Sequence, residues 1–159
     1  MIRAWCIIKK KYLQYALSGE GARLGGGRWN HAGTPVVYAS ESLSLAALEL
    51  FIHFTRRDIV ISKSLLAIPV HIPDTIRISE IHLEDLPRGW NSSPPPDSTR
   101  DIGTKWAQSG ASTVLRVPSA IIPGEHNYVI NVKHFTDFSV IAVGDPEPFA
   151  LDDRIWKGQ

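Results

Sequence analysis

Residues 43–54, Leu-Ser-Leu-Ala-Ala-Leu-Glu-Leu-Phe-Ile-His-Phe, restrict the possible folds more than any other stretch of the chain. Apolar side chains fall on nearly every side of a helix drawn through them, and Glu49 is the one charge. A helix of that kind is expected to be buried almost all round. Ser40-Glu41-Ser42 in front of it supplies N-cap chemistry. Upstream again, Thr34-Pro35 leads into Val36-Val37-Tyr38-Ala39, a β-branched and aromatic run that predicts a buried strand. With 159 residues, 43% apolar and 21% charged, the chain can bury such a helix in one core and is too short for two. Residues 1–159 are therefore read as a single domain.

The remaining pattern is one of short pieces. Ile2–Ile8 reads as a strand, Tyr12–Leu17 as a helical turn, and Leu65–Ile72 as a strand that Pro69 pushes to an edge or a bulge. Ile76–Ile81 is expected to pair beside it. Ser92-Ser93-Pro94-Pro95-Pro96-Asp97 reads as a surface loop ending in a helix cap, followed by a short helix over Thr99–Gln108 that carries Trp106. Ser112–Val117, Asn127–Val132 and Phe138–Val143 read as strands. Short strands with two or three helices and no βαβ alternation predict an α+β domain with a mixed sheet.

Charge and motifs exclude several classes. Seventeen basic residues against sixteen acidic ones give a net charge of +1, so no broad field points to nucleic acid. Lys9-Lys10-Lys11 reads as a solvated strand end or turn. The lone Cys6 has no internal disulfide partner and reads as a small core residue. The N-terminal apolar stretch is too short for a signal peptide, and no run approaches the roughly 18 apolar residues of a membrane helix, so the expectation is a soluble cytoplasmic protein. Gly19, Gly21 and Gly25 miss the G-x-G-x-x-G spacing, and neither a phosphate-binding P-loop nor H-E-x-x-H occurs. Glu49 and His53 stand at i,i+4, but two ligands do not make a metal site, and none is expected.

Candidate chemistry gathers in a few places. Gly25-Gly26-Gly27 stands directly before Arg28, whose planar fork can hold an anion through two hydrogen bonds while bare backbone approaches the same oxygens. Arg23 is a weaker helper, and a structural salt bridge or a solvated loop residue is the plain alternative for Arg28. Glu49, a carboxylate on an otherwise apolar helix, is costly unless it is paired or faces a cleft. Tyr38 reads as a stacking face between the arginine loop and the glutamate helix, or as core. Ser119, after Val117-Pro118, presents a hydroxyl at a strand end or makes a Ser-turn. Asn127, Val129 and Asn131 share one strand face, and the two amides brace a polar cavity or satisfy loop backbone.

In order, Gly26-Gly27-Arg28-Trp29-Asn30, Tyr38, Ala47-Leu48-Glu49, Val117-Pro118-Ser119, Asn127 and Ile130-Asn131 resemble the RES-domain family, named for its Arg, Glu and Ser. The resemblance runs from the N-terminal region to about Phe149. It implies a fold similar to ADP-ribosyltransferases of the diphtheria-toxin type and a bacterial toxin that consumes NAD by hydrolysis or phosphorolysis. The implied partner is an Xre-type helix-turn-helix antitoxin that covers the active site. ADP-ribosylation of a protein, or a non-catalytic module that binds nucleotide or antitoxin, are the alternatives. Carried over residue by residue, the resemblance implies catalytic roles for Arg28, Glu49 and Ser119, and substrate contacts from Arg23, Gly27, Tyr38 and Asn131. NAD is then substrate, with no resident cofactor.

Overall fold

The computed structural model describes residues 1–55 and 64–156; residues 56–63 and 157–159 of the expected single domain lie outside the described residues. The described residues form one eight-stranded sheet flanked by helices. The strands are β1 (Ile2–Lys9), β2 (Val36–Ser40), β3 (Leu65–Ile72), β4 (Ile78–Glu80), β5 (Val114–Pro118), β6 (His126–Asn131), β7 (Ala142–Val143) and β8 (Glu147–Phe149). They run in the order β4-β5-β6-β2-β1-β3-β7, with β8 also on β3; every pairing is antiparallel except β4 with β5. The helices are α1 (Glu20–Gly25), α2 (Leu43–Phe51), α3 (Asp97–Ser109) and α4 (Phe135–Phe138). The expected α+β class with a mixed sheet holds.

Strand alternation splits the core in two. Ala4, Cys6, Val37, Ala39, Ile68, Val70, Val114, Tyr128 and Ile130 fill one face, with Leu17 and Phe138 packed onto them. Val36, Leu115, Val117 and Val129 fill the other, where Trp29 and Trp106 cover them with part of Tyr38 and Trp90. Cys6 is the core residue expected of it, its thiol donating to the Tyr38 carbonyl. The second face carries the candidate site. Antiparallel pairing of β2 with β6 sets Ser40 opposite Asn127 there, and pairing of β5 with β6 sets Val117 opposite Asn127 as well.

Several expectations need correcting. The strand at 65–72 is as expected, and Pro69 explains itself: its carbonyl accepts from Gly144 N on the outer side, so the missing N–H falls in the gap between β8 and β7. Residues 78–80 do not pair beside it. They sit at the opposite sheet edge, parallel to β5, because the intervening loop carries them across. The segment 138–143 is not a strand. Phe138 ends a short helix, Ile141 turns into the core, and only Ala142–Val143 pairs with β3, so packing of single residues overrides β propensity here. The N-cap of α3 is Pro96 with no side-chain cap, and Asp97 is already helical, bonded to Arg100.

The helix at 43 is real but shorter and less buried than its composition suggests. Ser42 caps it, accepting from Leu45 N, and it ends at Phe51. Leu45 and Ala46 are buried, whereas Leu48 and Ile52 are 40% and 54% exposed. A helix lying on one face of a sheet covers one stripe only, and nothing among the described residues covers the other. No described helix is long and apolar enough to cross a membrane.

Candidate active site

Glu49 follows Leu45 by four residues and Ala46 by three, so it lies one turn further along the stripe that α2 turns to the sheet. The carboxylate therefore reaches the ends of β5 and β6. Its Oε1 accepts from Asn127 Nδ2 at 2.6 Å and from the Ser119 hydroxyl at 3.3 Å. The first is a short charge-assisted bond and the second is long for a hydroxyl donor, so Asn127 provides the main hold. Among the described residues no donor reaches Oε2.

Ser119 performs both of the tasks open to it. Its Oγ accepts from Ile121 N and Ile122 N at 3.1 Å, which is the Ser-turn, and its proton remains for Glu49. The residue is buried at the end of β5, with its own N–H bonded to Glu125 O.

The glycine-arginine loop is a built turn. Gly27 N bonds Asn30 O, and the fully buried Asn30 amide donates to the carbonyls of Ala22, His31 and Thr34. The Tyr38 hydroxyl donates to Asn30 Oδ1 at 2.7 Å and accepts from Trp29 N at 3.0 Å. A Cβ on Gly27 would stand 2.6 Å from that hydroxyl, so the bare Cα makes room for Tyr38 and not for a ligand. Helix α3 supports the turn from outside: His31 N bonds the Thr104 hydroxyl, His31 Nε2 meets Asp101 at 2.7 Å, and Arg100 Nε donates to Gly27 O at 3.3 Å.

Arg28 leaves this turn half-buried. Its Nη1 donates to the carbonyls of Trp90 at 2.8 Å and Ser92 at 3.1 Å, tying the loop to the segment before α3, where Trp29 and Trp90 lie 6.2 Å apart. Among the described residues Nη2 and Nε have no hydrogen-bond partner, which leaves one side of the fork free. Burial holds the guanidinium below its ordinary pKa, Glu49 and Tyr38 work against that, and Arg100 adds to it. Burial also raises the Tyr38 hydroxyl, so it stays protonated and donating. A cation and a carboxylate thus lie within electrostatic reach of each other without a direct salt bridge, with Arg100 a second cation beside the first.

The structure brings Arg28, Tyr38, Glu49 and Ser119 into one neighbourhood and leaves two expected contacts outside it. Arg23 is exposed, with its fork closed on Glu20. Asn131 is buried at the other end of β6, donating to Ala107 O and accepting from Lys133 N, the backbone-satisfying role. Four strand residues, about 13 Å, separate it from Asn127, which is why two amides on one face do different work. Sequence reasoning missed Arg100, Trp90 and Ser40. Ser40 was assigned to the helix cap, yet its hydroxyl donates to Asn127 Oδ1 at 2.7 Å.

Comparisons with known proteins give the family and the fold. The chain is 35% identical over 149 residues to Toxin Res of Yersinia enterocolitica (serotype O:8 / biotype 1B), covering 94% of this chain and 96% of that protein. It is 38% identical over 120 residues to the Prs ADP-ribosylating toxin of Sphingobium sp. (strain YBL2), covering 74% and 73%. A chain of the M. tuberculosis MbcT–MbcA toxin–antitoxin complex shares the fold with a TM-score of 0.76 at 15% identity, over 93% of this chain and 84% of that one. The RES domain model matches residues 3–152, almost the whole length, and takes in the arginine turn, the glutamate helix and the serine turn: the chain belongs to the RES domain family.

Proposed function

We propose that this protein is the toxin of a toxin–antitoxin pair and that it breaks the nicotinamide–ribose bond of NAD, passing the ADP-ribosyl group to water or phosphate. The observation that carries the reading is the Glu49 carboxylate, held through one oxygen by Asn127 and Ser119, with no donor on the other among the described residues and the Arg28 guanidinium within electrostatic reach. Heterolysis sends the bonding pair to the nicotinamide nitrogen and leaves a cation at the ribose C1′. A fixed carboxylate stabilises that charge as it develops. The acceptor's lone pair then closes the new bond, and its proton leaves to solvent. The free side of the Arg28 fork, with Arg100 beside it, suits the diphosphate. Tyr38 acts here by setting the turn through its hydroxyl, and the residue, only in part buried, packs against the second core face.

A second acceptor has specific support, since the Sphingobium relative is named an ADP-ribosylating toxin. Incubating the purified protein with NAD, with and without phosphate, and identifying products by mass separates the cases. Free ADP-ribose or its 1-phosphate supports the proposal. Label appearing only on protein supports transfer, and intact NAD under every condition removes the reading. An antitoxin of the Xre helix-turn-helix type is proposed as partner, covering the exposed Leu48 on the helix that carries Glu49 and Ile52 at the C-cap of that helix.

A further inference from the structure

Glu49 does not hold its own orientation. Its hydrogen-bond donors come from β5 and β6, and the stronger of them, Asn127, is itself held from β2. The proton positions in this chain of contacts follow from elementary chemistry. An ionised carboxylate only accepts, so the Asn127 side chain must turn Nδ2 toward Glu49 Oε1. Its Oδ1 then faces the Ser40 hydroxyl at 2.7 Å, and because an amide oxygen only accepts, Ser40 must donate. Ser40 is 5% exposed and lies opposite Asn127 in the β2–β6 ladder, so the pair is fixed by strand register.

We propose that Ser40 and Asn127 are positioning residues that clamp Glu49 by Oε1 and thereby dedicate Oε2 to the substrate. The inference rests on the NAD-cleaving reading and adds two residues to it. If Ser40 cannot donate, the Asn127 amide loses what prevents it from turning its oxygen to the carboxylate, where two acceptors would repel. The effect should then fall on the transition state, in which the carboxylate must meet the C1′ cation, and not on capture of NAD. A merely structural Ser40 would show the reverse: lower thermal stability with kcat intact.

Two measurements separate the outcomes. In the 15N-labelled wild-type protein one Asn127 side-chain amide proton should lie well downfield of ordinary amides, because its bond to the carboxylate is short and charge-assisted, and should return to the ordinary range in Glu49→Gln. This readout needs no turnover, so it tests the clamp even if NAD proves not to be the substrate. Kinetically, Ser40→Ala should lower kcat about tenfold, the loss of one hydrogen bond's worth of orientation. KM should change little, and Ser40→Thr, which keeps the hydroxyl, should restore it. Asn127→Asp, which sets an acceptor against Glu49, should cost about a hundredfold or more. In a Glu49→Gln background the Ser40→Ala penalty should disappear, since the clamp acts only through that carboxylate. An ordinary Asn127 amide shift overturns the inference, as does a Ser40→Ala penalty that persists without Glu49 or a Ser40→Ala kcat equal to wild type. Wild-type protein that leaves NAD intact while showing the shifted amide removes the NAD reading and leaves the clamp standing.

Discussion

Single residues in the site act through charge and hydrogen-bond direction, and two predictions belong at this scale. Glu49→Gln keeps the shape of the side chain and removes the charge, so the helix and its Ser42 cap should survive. NAD turnover should fall about a hundredfold to a thousandfold, with NAD affinity changed far less. Turnover within about threefold of wild type would place the chemistry elsewhere. The second prediction concerns Cys6, whose burial pushes its thiol up to about 12. The folded chain holds this proton where the unfolded chain has lost it, so the stabilisation is complete below the ordinary thiol range and disappears as pH rises from about 9 to about 12. Burial raises the Tyr38 hydroxyl in the same direction. Urea midpoints should stay level from neutral pH to about 8.5 and then fall, and Cys6→Ala should make that fall shallower. The sequence singles out Glu49 as the one charge on an apolar helix and Arg28 behind three glycines, while their grouping with Ser119 comes from the family resemblance. What holds them was not legible: the Trp90 and Ser92 carbonyls and the Ser40–Asn127 pair meet them across long separations, and only strand register and loop docking bring them there.

Among the elements, the docking of α3 on the arginine turn decides whether the site exists. Gly103 lies in the middle of α3, buried, and a Cβ there would stand 1.8 Å from the Trp29 carbonyl oxygen and 2.7 Å from its carbon. Backbone cannot rotate aside as a side chain can. Gly103→Ala should therefore lower stability by about 1–3 kcal/mol or more, and should weaken NAD turnover in the molecules that remain folded, because the turn that carries Arg28 is pushed off its support. Gly21→Ala is the control. Nothing lies within 4 Å of the added methyl in α1, so the same substitution there should stabilise by about 0.5–1 kcal/mol. Equal thermal shifts for the two variants would refute the account of α3 docking. Element by element, the strands at 2–9, 36–40, 65–72, 114–118 and 126–131 were legible because each is an apolar run bounded by turn residues. The segments at 78–80 and 138–143 were not, since their pairing depends on where a loop delivers them and on one or two buried side chains. The need for a bare Cα at Gly103 was not legible, because the backbone it meets, that of Trp29, is far away in the chain.

At the scale of the whole molecule, the sheet buries both faces, yet α2 covers only its inner stripe. Leu48 on α2 and Ile52 at its C-cap, one helical turn apart, face outward from the short helix whose inward turn presents Glu49. Two large apolar side chains exposed a turn apart suit a surface that a partner covers. In the toxin–antitoxin reading, the surface that the antitoxin needs for affinity and the carboxylate it needs to block are then a single element apart. Affinity and inhibition can therefore be separated by mutation. Ile52→Lys places a charge on the outer stripe, away from the Asn127 and Ser119 contacts of Glu49, so fold and NAD turnover should match wild type. A buried unpaired charge at an interface centre costs roughly 2–5 kcal/mol, so antitoxin affinity should drop by thirtyfold or more. Cells that make wild-type protein together with its antitoxin should grow, whereas cells that make Ile52→Lys with the same antitoxin should arrest and lose NAD. Growth and antitoxin affinity equal to wild type would show that the partner binds elsewhere, and that the outer stripe of α2 has another cause.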